Sequence, residues 1–219
     1  MARAQCVLVI ALSIGLVHSW DFVVSAGDRM EFYTNDGNQI ATLRFNSQNL
    51  TALVYDEVHN MLLYVSKESD NDAICGYNMT SVENKCYVQR NGRNIQGLAF
   101  DPITELLFFT DTKERSINSL SFKSGFINNI FGNLIIKMDE AIPTDIAVDH
   151  CRGYIYWINT NLMTSTIERA RFNGSDREVV ISATHKLDLH SLAIDQQTNT
   201  IYWVEPETHL KCRIHKADL

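Results

Sequence analysis

The sequence predicts an all-β chain organised as propeller blades, on three observations: a repeated phrase, a fixed offset inside it, and strand-type composition throughout. The phrase is an apolar run closed by Asp, then a second apolar or aromatic run. It reads Leu53-Val54-Tyr55-Asp56 with Leu63-Tyr64-Val65-Ser66, and Leu98-Ala99-Phe100-Asp101 with Phe108-Phe109-Thr110-Asp111. It recurs as Ile146-Ala147-Val148-Asp149 with Tyr156-Trp157-Ile158-Asn159, and Leu192-Ala193-Ile194-Asp195 with Tyr202-Trp203-Val204-Glu205. The four Asp residues lie 45, 48 and 46 residues apart, and Leu63, Phe108, Tyr156 and Tyr202 each follow their Asp by seven. A constant offset inside a loosely constant period means one unit repeated with loops of variable length; periods of ~40 to 50 residues are those of propellers and solenoids. No stretch of a dozen residues carries apolar positions at helical spacing.

Each element of the unit has its own justification. The first strand is the apolar run, as in Gln96-Gly97-Leu98-Ala99-Phe100-Asp101. A turn follows, in Asp101-Pro102-Ile103-Thr104, Cys151-Arg152-Gly153 and Gln196-Gln197-Thr198-Asn199. Pro presets φ there, while Asp, Asn and Gly satisfy turn backbone groups or tolerate positive φ. The second strand is aromatic and β-branched (Tyr154-Ile155-Tyr156-Trp157-Ile158; Thr200-Ile201-Tyr202-Trp203-Val204), a composition that suits a pleated surface. The third alternates apolar with charged, Ile167-Glu168-Arg169-Ala170-Arg171-Phe172, and Asn173-Gly174 turns it into the fourth, Arg177-Glu178-Val179-Val180-Ile181. Two apolar strands inside and two half-polar strands outside describe a blade flanked by other blades. Within each pair Phe108-Phe109, Tyr156-Trp157 and Tyr202-Trp203, period-2 alternation sends neighbours to opposite faces, so these rings read as blade-to-blade core rather than a ligand cage. The column Asp56, Asp101, Asp149 and Asp195 reads as turn-capping architecture.

Phe108-Phe109-Thr110-Asp111 and Tyr156-Trp157-Ile158-Asn159 resemble the tyrosine–tryptophan–threonine–aspartate (YWTD) repeat, the class B repeat of low-density-lipoprotein receptors. Tyr202-Trp203-Val204-Glu205 keeps the aromatics, and Leu63-Tyr64-Val65-Ser66 departs further. The resemblance implies a six-bladed propeller in which the last residue of the motif (Asp111, Asn159) ties its blade to the next; Ser66 and Glu205 put that tie in doubt for two blades. Trp20-Asp21-Phe22, Gly97 to Pro102, Ala147 to Arg152, Thr166 to Arg169 and Asn173 to Arg177 are similar to the cueball family of insect proteins. That resemblance covers residues 20–219 and implies a single-pass membrane protein with a propeller, EGF-like modules, a membrane helix and a cytoplasmic tail, associated with germ-cell development in both sexes.

Residues 1–19 read as a secretory leader: Arg3, an apolar run from Cys6 to Val17 too short to span a bilayer, and cleavage between Ser19 and Trp20. The expected organisation of 20–219 is a partial propeller of about 4 to 4.5 blades. Residues 20–48 would supply outer strands that complete the last blade; 49–94, 95–141 and 142–188 would be blades, and 189–219 a truncated one. Cys212 to Leu219 aligns with the third strand of the preceding blade, and six blades at this period need roughly 260 to 280 residues, so the chain reads as a fragment. Its formal charge is −7, or −8 without Arg3, which removes the electrostatic case for nucleic acid or an anionic membrane surface.

Cys75 and Cys86 fall in the third and fourth strands of one blade, where an oxidising compartment would allow either a hairpin disulfide or two separate thiols. Cys151, in a turn, and Cys212, at a strand start, lie at opposite ends of their blades; each either has a partner outside this chain or is a small buried apolar residue. Three N-glycosylation triplets begin at Asn49, Asn78 and Asn173, all at strand ends or turns, with Asn173 doubling as a hairpin residue.

Catalytic patterns are scarce. There is no Gly-x-Ser-x-Gly elbow, no His-Glu-x-x-His and no phosphate-cradling loop. His209-x-x-Cys212-x-x-His215 has metal-like spacing, but residues three apart on a strand face opposite ways. His150-Cys151 lacks an orienting acid. The expectation is a non-enzymatic, cofactor-free, extracellular module that binds a protein ligand, attached to the cell membrane only through sequence outside this chain. The alternatives are a secreted matrix-type propeller and a calcium-dependent hydrolase of the lactonase type. The hydrolase needs carboxylates converging from the inner strands, where Ala99, Ala147 and Ala193 stand and no acidic residue is read before the closing Asp.

Overall fold

The computed structural model of the chain describes residues 7–10, 20–45, 49–68, 71–91, 93–123, 132–161, 164–182, 189–208 and 211–219. Among them the regular structure is β, in five antiparallel sheets, each built from strands consecutive in sequence. The chain divides into two compact units, Met1–Arg93 and Asn94–Leu219.

The first unit holds two sheets. One runs β1 (Val7–Ile10), β2 (Phe22–Ala26), β3 (Arg29–Tyr33), β4 (Gln39–Arg44); the other runs β5 (Asn49–Asp56), β6 (Met61–Glu68), β7 (Asn71–Asn78), β8 (Glu83–Asn91). Alternation puts Val23, Met30 and Phe32 on the face of the first sheet that meets Leu50, Leu53, Leu62, Tyr64 and Cys75 of the second. Trp20 caps this core, its ring edge-on to Phe32 and Tyr55 at 5.8 and 5.4 Å.

The second unit holds three sheets: β9 (Ile95–Asp101) to β12 (Asn133–Lys137) by way of β10 (Leu106–Asp111) and β11 (Ser116–Ser121); β13 (Ile142–Asp149), β14 (Tyr154–Thr160), β15 (Ser165–Arg171) and β16 (Glu178–Ser182); and β17 (His190–Asp195), β18 (Thr200–Thr208) and β19 (Lys211–Asp218). The middle sheet is covered on both faces. Trp157, Ile155 and Val148 pack on Phe108, Ile117 and Ala99 of one neighbour; Tyr156, Ile158 and Ala147 pack on Leu192 and Ile201 of the other. Adjacent residues Tyr156 and Trp157 are both fully buried on opposite sides of one strand, as are Phe108 and Phe109. Burying such rings is worth ~1.5–3 kcal/mol each, so most cohesion of the unit comes from these strand faces. Tyr202 and Trp203, in the three-stranded sheet, stay partly exposed, and Trp203 stacks on His215 at 5.5 Å.

The blade count differs from the 4 to 4.5 expected. There are five sheets among the described residues, and Phe22–Ala26, with Val23 completely buried, joins Arg29–Tyr33 and Gln39–Arg44 in one of them. Val7–Ile10, within the segment read as a leader, then pairs antiparallel with Phe22–Ser25 and brings that sheet to four strands. An apolar, β-branched run satisfies a leader's core and an edge strand equally well, so composition did not separate the two.

Candidate functional site

Two recurrent features mark the first strand of four of the five sheets, β5, β9, β13 and β17: a capped turn after it and a bulge within it. The turn is built on the Asp column. Asp56 Oδ1 accepts from the N–H groups of Val58 and His59, both at 3.0 Å; Asp101 Oδ2 accepts from Thr104 N at 2.8 Å; Asp149 Oδ1 accepts from Arg152 N at 3.1 Å; Asp195 Oδ1 accepts from Gln197 N at 2.9 Å. The third residue after each Asp also reaches the carboxylate with its side chain: His59 Nδ1 at 2.7 Å, Arg152 at 3.4 Å, Thr198 Oγ1 at 2.6 Å, and the Thr104 hydroxyl. The fourth is left-handed, at φ 53° (Asn60), 55° (Glu105), 72° (Gly153) and 53° (Asn199). Asp56, Asp101 and Asp149 are buried, so their charge is spent on turn N–H groups. Asp111 and Asn78 repeat the device in later turns. Asp111 Oδ1 accepts from Lys113 N and Glu114 N at 3.1 and 3.0 Å, and Asn78 Oδ1 accepts from Thr80 N and Ser81 N, each at 2.8 Å.

The bulge lies four residues before each Asp, where Ala52, Gly97, Asp145 and Ser191 stand. Ladder register shifts there in β5, β9, β13 and β17, and Ser191 takes φ 51°. A bulge takes N–H groups out of the ladder, and each must find another acceptor. Gly97 N donates to Thr110 Oγ1 at 2.9 Å, and that hydroxyl donates onward to Thr144 O of the next blade. Leu192 N donates to Asp145 Oδ2 of the preceding blade at 2.6 Å, while Asp145 Oδ1 accepts from Ile146 N at 2.9 Å. Blade-to-blade polar ties in the second unit therefore include Thr110 and Asp145, together with Gln196 Nε2, which donates to Val148 O at 2.7 Å. The Asn159 side-chain amide, by contrast, donates within its own blade to Glu168 Oε1 at 2.7 Å.

Asp145 corrects the reading that the inner strands carry no acidic residue before the closing Asp, since β13 begins at Ile142 and includes it. Burial pushes its carboxyl up to about 6, against the two N–H bonds, which favour the ionised form. The sequence did hold a signal: the one charged residue in a column otherwise Ala, Gly and Ser. Both oxygens are already engaged by backbone donors, and among the described residues no three His, Cys, Asp or Glu side chains are grouped to hold a metal ion. His209 of the metal-like triplet lies outside the described residues; Cys212 and His215 pair across the ladder with Pro206 and Trp203.

Cys75 and Cys86 are directly opposite in the β7–β8 ladder and their sulfurs are bonded. Cys151 and Cys212 are both exposed free thiols, which overturns the buried-apolar alternative; the turn and the outer strand that carry them are solvent-facing. Asn49 and Asn173 are exposed and Asn78 is half-buried.

Comparison with solved structures defines the class first. The chain superposes on a chain of a nidogen/laminin complex with a TM-score of 0.72 at 17% identity, covering 84% of this chain and 69% of that one. It also superposes on TolB from Acinetobacter baumannii (TM-score 0.69, 12% identity, 88% and 47% covered). The gluconolactonase XC5397 from Xanthomonas campestris follows (0.63, 11%, 83% and 64%). At these identities the likeness is one of fold, and the fold is a β-propeller. No family profile matches the chain. Curated relatives do: protein cueball of Drosophila ananassae is 28% identical over 199 residues, covering 88% of this chain, and that of Drosophila sechellia is 27% identical over 213 residues, covering 92%. The chain spans 31% of the length of each.

Proposed function

We propose that the chain is the propeller region of a non-enzymatic, extracellular, cueball-like cell-surface protein that binds a protein ligand through its blade-end loops. In this reading residues 1–19 direct it to the secretory pathway and are then removed, so Val7–Ile10 pairs only in the uncleaved chain and the mature sheet keeps β2, β3 and β4. The membrane span lies in sequence outside this chain, and the biological setting is germ-cell development. The observation that carries it is the cueball likeness along 88% of the chain, joined to what the inner strands do with their acids. The likeness to a chain of a nidogen/laminin complex supports a protein-binding use of the fold. A secreted matrix-type propeller shares all of these features except the anchor.

The gluconolactonase likeness favours a specific second reading, a calcium-dependent hydrolase. It is the weaker one, because the inner-strand carboxylate it would need, Asp145, is committed to Ile146 N and Leu192 N. The test uses an epitope-tagged full-length product in secretory cells. Surface staining without permeabilisation, with the mature chain beginning at Trp20, supports the receptor reading. Release into the medium favours the matrix-type protein, and cytosolic retention overturns both. Calcium-dependent lactone or ester hydrolysis by the purified product, abolished in Asp145→Asn, overturns the non-enzymatic reading.

A further inference from the structure

We propose that Asn78 is a conditional N-glycosylation site whose modification races against closure of the Cys75–Cys86 disulfide. The inference rests on the secretory reading above. The triplet Asn78-Met79-Thr80 lies inside the disulfide loop, whose cysteines are 11 residues apart. In the closed hairpin every residue of the triplet is tied. Asn78 Oδ1 accepts from Thr80 N and Ser81 N at 2.8 Å, Met79 N donates to Asn60 O at 2.9 Å, and Thr80 Oγ1 accepts from Asn60 Nδ2 at 2.8 Å. Asn60 is itself held, accepting from the Tyr55 hydroxyl at 2.9 Å. The triplet thus cannot be drawn into a transferase groove without opening a hairpin that the disulfide staples three residues away.

The chemistry is two competing steps on one nascent chain. In the first, Asn78 Nδ2 attacks the anomeric carbon of a lipid-pyrophosphate-linked oligosaccharide. The N–C bond forms, the C–O bond breaks with its electron pair leaving on the pyrophosphate, and Nδ2 gives up one proton. In the second, the Cys75 and Cys86 thiols become one disulfide, passing two electrons and two protons to the disulfide of an oxidoreductase, which leaves as a dithiol. The order is asymmetric. Asn78 Nδ2 is not used in the bonds that fix the turn, so a glycan added first leaves the hairpin free to close. A disulfide formed first removes the acceptor. Asn49 and Asn173 lie outside the loop and serve as internal controls.

The experiment translates the full chain into microsomes carrying oligosaccharide donor, with and without dithiothreitol, and measures occupancy at all three sites by isotope-labelled deglycosylation. Cys75→Ser and Cys86→Ser are run in parallel; the wild-type chain under reductant keeps the test independent of whether either variant folds. The expected result is partial occupancy at Asn78 in oxidising wild type, raised at least twofold by reductant or by either substitution, with Asn49 and Asn173 unchanged. Equal Asn78 occupancy in all conditions, with Asn49 or Asn173 modified, overturns the proposal and leaves the secretory reading intact. No modification at any site in any condition overturns the secretory reading and the proposal with it.

Discussion

Replacing Gly97 by Ala probes a close backbone-to-backbone contact between blades. A Cβ built on Gly97 meets Thr144 O at 2.8 Å, Asp145 Cα at 3.0 Å and Ile146 N at 3.0 Å. All three are backbone atoms of β13, so no rotamer change relieves the overlap and one strand must move. Overpacking of this kind costs ~1–3 kcal/mol. The shift also disturbs the relay from Gly97 N through Thr110 Oγ1 to Thr144 O, at ~1 kcal/mol per bond. Against this, Ala lowers the entropy of the unfolded chain, a gain of ~0.4–1 kcal/mol at a position with ordinary φ. The steric and polar losses win, and the net expectation is a loss of about 2–3 kcal/mol. At ~2–4 °C per kcal/mol for a chain of this size, that lowers Tm by roughly 5–10 °C. Circular dichroism melts and urea titrations of wild type and Gly97→Ala measure it. Thr110→Val, which cuts the relay without adding a Cβ at 97, should cost about 1–2 kcal/mol by leaving a buried N–H unpaired. An Ala variant within 0.5 kcal/mol of wild type would refute the claim that the blades touch through backbone here.

Three further outcomes are expected. Asp145 has its folded pKa raised to about 6, above its unfolded value near ~3.9, so the stability it contributes is complete below pH ~4 and is lost as pH rises through ~6. At ~1.4 kcal/mol per unit the loss is at most about 3 kcal/mol, and the difference between wild-type and Asp145→Asn melts from pH 4 to 7.5 should carry it; a difference that does not vary with pH counts against the buried carboxylate. Val82 holds φ 60° at 69% exposure, an unfavourable conformation for a β-branched residue, and Val82→Asn should gain about 0.5–1 kcal/mol in the same melts. Removing the Cys75–Cys86 disulfide with Cys75→Ser plus Cys86→Ser should cost about 2–3 kcal/mol, given the short loop, and should abolish the effect of reductant on Tm.

Much of the fold was legible because it depends on neighbours along the chain. The Asp-to-landmark offset marks a turn of constant length, and the structure shows why: each Asp caps N–H groups two or three residues on and the fourth residue turns left-handed. The left-handed position is filled by Asn, Glu, Gly and Asn, so residue identity alone did not reveal it. Alternation likewise places Tyr156 and Trp157 on opposite faces, where they join separate cores. The blade count was not legible, because the run Val7–Ile10 reads as leader or strand until a partner edge is seen. The role of Asp145 is not legible in the sequence because it is not local: its partner is an N–H 47 residues away.

By itself, then, the sequence determined the repeating unit, the sense of each strand face and the chemistry of the turns, since side-chain alternation and turn capping are set within a few residues. Tertiary structure alone decided which backbone donors the bulges release and which side chains answer them. The freed N–H of Gly97 is answered by Thr110 on the paired strand, whose hydroxyl passes on to the next blade, and that of Leu192 by Asp145 of the preceding blade; how two sheets pack settles both links. Thr110, Asp145 and the bare Cα of Gly97 have their roles for that reason.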